Sequence, residues 1–564
     1  MQQRITINLN TDSKTTDKTT ILEYCRSHGI AGIETPCGGK GTCGKCKVTV
    51  TKPYYKDVLA CQTKICHGME IIVGRKESTG TGTDGHDAQR ILNAGYSIDK
   101  EDSMVVLTNG GNVSEKFNEH VNEHVNRNVV LKEETANESE KVESNEDTLA
   151  ACDIGTTTVV CYLIDKETGQ IISTRSGANP QRSFGADVLS RIDAAARADD
   201  NDKANGGLQM MQTQIVSLLN GWISEMLTEC GRTKVCRFSV AGNTVMCHLL
   251  LGISPEKLGK APFMPDEYFG REFNTLDIGF ENCQIMIIFP AVSGFVGGDI
   301  TAGMMETVNC NELTLYLDIG TNGEMALGKG DRYVCCATAA GPAFEGAQIE
   351  LGMPASKGAV DKVWLEGRRI KYSVIGNDRP VGLCGSGLID ALAVLLKAGI
   401  IDENGTILSG QELPILFRSY VFEVEAEETA QSTESSLAVH IAPGVYITQD
   451  DIRKLQLAKG AIAAGIEVLF KEYGCKPCDV DILTFAGGFG NYIDKASAAA
   501  IGLFPQELLD KAKEVGNAAG NGAVSAALSQ EAWERALEIS GNMRYIELAS
   551  YPHFDEMYVE HMNF

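Results

Sequence analysis

At 564 residues the chain exceeds what one hydrophobic core usually supports and predicts about three or four domains. Its 43% apolar and 22% charged residues are ordinary for a soluble globular protein, and a formal net charge of −25 excludes nucleic acid and anionic membrane surfaces as partners, since either would repel it at long range. No run reaches the ~18 uninterrupted apolar residues of a spanning helix and the start, MQQRITINLNTDS, lacks a secretory pattern, so a cytoplasmic location is expected, where eighteen cysteines read as ligands or buried small hydrophobes rather than a disulfide framework.

Residues 1–78 alternate short β-patterned runs (RITINL, CKVTVT, MEIIVG) with glycine-rich turns, predicting a small, mostly-β domain with one helix near ILEYCRSHG. Within it, CGGKGTCGKC followed by LAC sets Cys37, Cys43, Cys46 and Cys61 in a Cys-x5-Cys-x2-Cys-x14-Cys pattern. Three thiolates wrap one short loop, glycines at 38, 39, 41 and 44 let its backbone approach inorganic sulfides, and the fourth ligand comes from beyond a strand pair. This is close to the plant-type spacing for a [2Fe–2S] cluster. Zinc sites usually show paired Cys-x2–4-Cys knuckles, and here only Cys43 and Cys46 form one. Cys25 and Cys66 lie nearby, and the rival ligand set exchanges Cys61 for Cys66.

From 79 to 147 the pattern dissolves into STGTGTDG, NEHVNEHVNRN and an acidic run, KEETANESEKVESNED, with seven acids and two bases. So little apolar surface predicts a flexible acidic linker, with His120 and His124 on a solvated face rather than on a metal. Ordered pattern resumes with strand-like and helical runs in alternation, as in an α/β fold. An internal echo divides this region: LAACDIGTTTVVCYLID from Leu149 and LTLYLDIGTNGEMALGKG from Leu313 share a strand, Asp-Ile-Gly-Thr and a second strand. Two related lobes are expected, at 148–310 and at 311–564, the latter with a C-terminal tail.

Each echo places a carboxylate, Asp153 or Asp318, at a strand end, then a glycine, Gly155 or Gly320. Hydroxyls and amides of Thr156 and Thr157, or of Thr321 and Asn322, follow. Glycine allows close approach, successive N–H groups form an anion nest, and the carboxylates are suited to Mg2+. The pair predicts two loops clamping a polyphosphate. LTFAGGFGNYID runs a strand into Gly487 and Gly488, suited to an adenosine against the backbone, and GLCGSGLIDALAVLLKAG brings Gly385, Ser386 and Gly387 to a helix start that favours an anion. No Gly-x4-Gly-Lys-Ser/Thr occurs, which disfavours a Walker-type loop. Cys475 and Cys478 make a single Cys-x2-Cys without a second pair, and Cys335, Cys336 and Cys384 read as packing residues.

The ordered motifs DIGTTT, DIGTNGE, GLCGSGLID and FAGGFGNYID resemble the acetate kinase, sugar kinase, heat-shock chaperone and actin superfamily of two-lobed ATPases. Together with the N-terminal cysteines and the stretches NPQRSFGADVLSRI, VAGNTVMCHLLLGI, ATAAGPAFEGAQI, VGNAAGNGAVSAAL and HFDEMYVEHMNF, the chain resembles the reductive activators of corrinoid enzymes. The resemblance implies an α/β and α+β multidomain fold: a β-grasp ferredoxin-like domain, the acidic linker and a two-lobed actin/sugar-kinase-like ATPase. It implies an ATP-hydrolysing iron–sulfur enzyme that returns one electron to an inactive Co(II) corrinoid of a methyltransferase system, restoring Co(I). ATP, Mg2+ and the cluster are the implied cofactors. A corrinoid protein and an upstream low-potential electron donor are the implied partners, with a homodimer among the oligomeric states left open. By the same resemblance Asp153 and Asp318 position Mg2+ and water, Thr156, Thr157, Thr321 and Asn322 contact phosphate, and Gly385, Gly487 and Gly488 border the adenosine. Glu345, in GPAFEGA, and Asp299, in GFVGGDITAG, are the next candidates for orienting water or metal. Dehydratase activators share the ATPase but lack a plant-type cluster domain. A small-molecule kinase with a redox domain would need a catalytic base, for which Asp299 alone is inviting.

Overall fold

The computed structural model describes residues 3–7, 19–27, 33, 46–52, 56–65, 69–73, 148–196, 206–308, 311–424, 436–487 and 492–564. Cys37, Cys43, Cys66, His120, His124, Gly488 and the acidic stretch 79–147 lie outside the described residues.

Near the N-terminus, β1 (Gln3–Ile7), β2 (Lys47–Lys52), β3 (Lys56–Leu59) and β4 (Met69–Val73) form an antiparallel sheet in the order β1-β4-β2-β3. The helix Ile21–Ser27 starts where Thr20 and Glu23 cap each other: Glu23 N–H donates to Thr20 Oγ1 (3.2 Å) and Thr20 N–H to Glu23 Oε2 (2.7 Å). Its Ile21, Leu22 and Cys25 share one small core with Val48, Val50 and Ile71.

The described residues divide between two compact units, one holding those up to 299, the N-terminal sheet and helix included, with 523–530, the other holding 300–522 with 531–564. In the first unit, β5 (Thr148–Ile154), β6 (Thr158–Asp165), β7 (Ile171–Ala178), β8 (Val235–Gly242), β9 (Arg271–Asn274) and β10 (Cys283–Ile288) make a sheet in the order β7-β6-β5-β8-β10-β9. In the second, β11 (Thr314–Ile319), β12 (Gly323–Lys329), β13 (Arg332–Thr338), β20 (Ile482–Ala486), β21 (Ala512–Glu514) and β22 (Met543–Tyr545) run β21-β20-β11-β12-β13-β22.

The echo in sequence is thus an echo in topology. In both sheets the strand ending in Asp-Ile pairs antiparallel with the next strand and parallel with one from much further on. Such central strands are covered on both faces, which is why β5 and β11 read as nearly continuous apolar runs. The register is the same: Asp153 lies opposite Ala241, with Gly242 next, and Asp318 lies opposite Ala486, with Gly487 next.

Between β13 and β20 the second unit adds β14 (Ala359–Glu366), β15 (Arg369–Val374) and β16 (Gly382–Leu383) as one small sheet. A second is built of β17 (Val421–Val424), β18 (Ser436–Ala442) and β19 (Val445–Thr448). The helix Gln449–Tyr473 follows, opened by a Thr448–Asp451 capping box and closed at Gly474, whose φ of 80° suits glycine. Among the described residues no helix is long and apolar enough to cross a membrane.

Candidate functional site

Two of the four candidate cluster cysteines are described, and they stand together: Cys46 Sγ and Cys61 Sγ are 3.1 Å apart. That exceeds the ~2.05 Å of a disulfide, so two unlinked sulfurs face one another, as ligands of a shared cluster must. Local pairing sets this geometry, because Cys46 flanks β2, Cys61 follows β3, and Ala60 N–H donates to Cys46 O at 2.8 Å. Cys25 differs. Burial pushes its thiol up to about 11, which disfavours the ligating thiolate, and it packs among Ile21, Leu22 and Val48.

In the first unit the turn 155–157 joins β5 to β6 and is closed by Gly155 N–H donating to Thr158 O at 3.0 Å. A β-carbon at Gly155 would lie 2.7 Å from that oxygen, so the turn requires glycine. The three carbonyls of the turn are held by a single segment, 179–191. Asn179 Nδ2 donates to Gly155 O and Asn179 N–H to Thr157 O, each at 2.9 Å, and the Arg191 guanidinium donates to Thr156 O. A trans peptide sets each N–H antiparallel to the preceding carbonyl, so the amides of Thr156 and Thr157 face away from that segment. This is the orientation of an anion nest.

Arg191 is fully buried, with Nε on Gly185 O at 3.0 Å. Burial, with the nearby Arg182 charge, pulls its pKa down to about 9, so it stays cationic at neutral pH and gives the turn positive charge. Asn243, the N-cap of the helix Thr244–Leu251, donates from Nδ2 to Thr156 Oγ1 at 3.0 Å. Gly297 packs against Asn243, where a β-carbon would lie 2.5 Å from its Cα, and Asp299 follows two residues on, in the first turn of the helix Gly298–Thr307. The buried Cys247 thiol is pushed up by burial and then by the charges of Asp299 and Asp153, so both carboxylates lie near one sulfur.

The second unit repeats the turn with different support. Gly320 N–H donates to Asn322 O at 2.8 Å, and Thr321 Oγ1 donates to Glu345 Oε1 at 2.7 Å. Glu345 closes a short 3-10 turn, Pro342–Glu345, ended by Gly346 at φ 75°. Gly487, at φ 80°, lies so close to Asp318 that a β-carbon there would collide with its Oδ1. Asp318, Gly320, Thr321, Glu345 and Gly487 therefore meet at one strand end. Gly385, Ser386 and Gly387 are buried at the start of the helix Gly385–Lys397. A β-carbon at Gly387 would strike Val360 O, and Ser386 Oγ donates to Asp361 O at 2.8 Å, so Ser386 and Gly387 serve close packing of the helix on β14.

Cys475 is half-buried and pushed up to about 11, chiefly by burial, while Cys478 is exposed. Among the described residues no group of three or more His, Cys, Asp or Glu is arranged to hold a metal ion.

Comparison with known proteins gives three consecutive family matches. Residues 7–66 match a 2Fe-2S iron-sulfur cluster binding domain, 149–309 the RACo middle region, and 312–564 the C-terminal domain of RACo, the ASKHA domain. The corrinoid activation enzyme RamQ of Eubacterium limosum is 33% identical over 581 residues, covering 96% of this chain and 95% of that protein. The chain belongs to the family of corrinoid reductive activators. A solved structure of a reductive activator for corrinoid, iron-sulfur protein aligns with TM-score 0.62 and 29% identity over 98% of this chain and 96% of its own. A [Co(II) methylated amine-specific corrinoid protein] reductase of Methanosarcina barkeri is 27% identical over 397 residues, 63% of this chain and 65% of that protein.

This activator is an enzyme that joins a [2Fe–2S]-binding domain to an ATP-binding ASKHA domain. Beside the candidate turns stand residues to which the motifs gave no role: Asn179, Arg191, Gly242 and Asn243. Asn179 and Arg191 sit in NPQRSFGADVLSRI, and only the folded chain brings them under the Thr156 turn. Gly242 and Asn243 had a readable signal, because VAGN and FAGG both place Ala-Gly at the end of an apolar strand.

Proposed function

We propose that this chain is an ATP-dependent reductive activator that passes one electron to the inactive Co(II) corrinoid of a methyltransferase corrinoid protein, restoring Co(I). The observation that carries this reading is the presence, in one chain, of converging cluster cysteines and two Asp-Ile-Gly-Thr turns, each with a second carboxylate beside it. Cys37, Cys43, Cys46 and Cys61 would hold the cluster. At the roughly −400 mV of plant-type clusters it supplies a single electron.

Each ~59 mV by which the cobalt couple lies lower makes transfer about 1.4 kcal/mol less favourable. ATP binding and hydrolysis then supply the missing drive through differential affinity for two conformations of the chain. Within that cycle Asp153 and Asp318 hold Mg2+ and water, while Thr156, Thr157, Thr321 and Asn322 bind phosphate oxygens. Asp299 and Glu345 orient water or metal, and Gly385, Gly487 and Gly488 border the adenosine. An upstream low-potential donor reduces the cluster.

The test mixes reduced protein, MgATP and a Co(II) corrinoid protein, and follows visible absorbance. Co(I) should appear only with ATP. Asp318→Ala should leave the cluster spectrum intact and abolish the ATP-dependent change. Failure to form Co(I) with several corrinoid proteins, despite an intact cluster, would refute the proposal.

A further inference from the structure

The helix Ile21–Ser27 is tied directly to the backbone around Cys61. Leu22 N–H donates to Ala60 O at 3.0 Å and Ile21 N–H to Thr63 O at 2.8 Å, either side of Cys61. From its last turn Arg26 reaches away from that small core. Its Nε donates to Ser183 O at 3.0 Å, its Nη2 donates to the same oxygen, and its guanidinium lies over the Phe184 ring, 4.9 Å from the centroid. Phe184 is itself core, only 2% exposed, so Arg26 grips a fixed part of the lobe.

What Arg26 grips is the middle of the segment that shapes the 155–157 turn. On one side, Phe184 N–H donates to Gln181 O and Gln181 N–H to Asn179 Oδ1, each at 2.9 Å. Asn179 then holds the carbonyls of Gly155 and Thr157. On the other side, Gly185 O receives Arg191, which holds Thr156 O. Both routes from Ser183 to the turn are short and made of hydrogen bonds to buried groups.

We propose that the Ser183–Phe184 turn is a docking surface for the cluster domain, and that Arg26 docking there is energetically coupled to nucleotide at the 155–157 turn. The proposal rests on reading that turn as a nucleotide site. Docking steadies 179–191 and hence the carbonyls that aim the Thr156 and Thr157 amides. Linkage makes the effect reciprocal: nucleotide on the turn holds the cluster domain down, and an empty turn loosens it. Coupling between sites commonly spans about 5- to 150-fold in affinity, and two hydrogen bonds plus one partly exposed ring contact belong at the low end.

The experiment uses the full-length, cluster-loaded protein and MgADP as probe, by calorimetry. Arg26→Ala should raise the MgADP Kd about fivefold with an unchanged cluster absorption spectrum. Arg26→Lys should fall between, since an ammonium keeps the charge but loses the planar fork and ring stacking. Asn179→Ala should weaken binding too, and adding Arg26→Ala to it should cost less than Arg26→Ala does alone, because only the Arg191 route is left to lose. In the reciprocal direction, MgADP should slow amide hydrogen exchange in 21–27 in the wild type and do so less in Asn179→Ala. A Kd for Arg26→Ala within twofold of wild type, or a double variant whose loss is the product of the two singles, overturns the coupling while leaving the nucleotide site standing. Absence of MgADP binding to the wild type overturns both.

Discussion

The two Asp-Ile-Gly-Thr glycines look interchangeable in sequence, and the structure predicts opposite outcomes for replacing them. A β-carbon at Gly155 would sit 2.7 Å from Thr158 O, where ordinary contact begins at 3.4 Å, so the oxygen must retreat by 0.7 Å, the difference of the two. That oxygen accepts the Gly155 N–H bond at 3.0 Å which closes the turn, and the retreat stretches it out of hydrogen-bonding range. Crowding of this kind costs about 1–3 kcal/mol. A 1 Å misplacement at a reacting centre costs up to about a hundredfold, so Gly155→Ala should lower ATP turnover roughly tenfold to thirtyfold as well. At Gly320 the same β-carbon meets nothing nearer than Asn322 O at 3.8 Å and Glu345 Oε1 at 4.0 Å. Gly320→Ala should therefore leave stability unchanged or raise it by about 0.4–1 kcal/mol through the stiffer unfolded chain, while its methyl, beside Glu345, weakens nucleotide binding. Thermal melts of both variants, with cluster absorption as the internal check, and calorimetric MgADP titrations separate the effects. Equal melting temperatures for the two variants would refute the steric argument.

Arg191→Met should weaken MgADP binding at least tenfold with an unchanged cluster spectrum, because a charge-assisted bond of about 1.5–3 kcal/mol to Thr156 O is lost. For the cluster, Cys61→Ser should bleach the visible spectrum whereas Cys25→Ser and Cys66→Ser should retain it, and the reverse result for Cys61 and Cys66 would reassign the ligand. Lys459, 2% exposed, donates to His561 O and Asn563 O, and burial pulls its pKa from 10.5 down to about 8. Between those values the unfolded chain binds the proton that the folded chain has released, so this group's contribution to stability rises with pH across the window, by up to about 3 kcal/mol. Urea midpoints at pH 7.5 and 9.5 should shift further in favour of the wild type than of Lys459→Met as pH rises.

The cluster class and the ATPase class were legible because both depend on short, local patterns. Cysteines at fixed spacing among glycines, and a carboxylate, glycine and hydroxyl in succession, declare their chemistry without knowledge of the fold. The glycine-serine-glycine run at 385–387 shows what such patterns leave out: its place at a helix start is legible, whereas the packing of Gly387 and Ser386 against the Val360 and Asp361 carbonyls of β14 is not. Arg191 shows the same: nothing in its neighbours along the chain announces that it will lie wholly buried beneath a turn 35 positions away.

By itself the sequence determined the cluster pattern, the duplicated turn and the family, since each is carried by residue identity and spacing along the chain. The tertiary structure alone decided which groups hold each turn: Asn179, Arg191 and Asn243 in the first unit, Glu345 and the close approach of Gly487 in the second. The physical reason is that hydrogen bonds and steric gaps between distant segments depend on strand register and helix packing. These make Gly155 obligatory and leave room at Gly320, although the chain writes both in the same four letters.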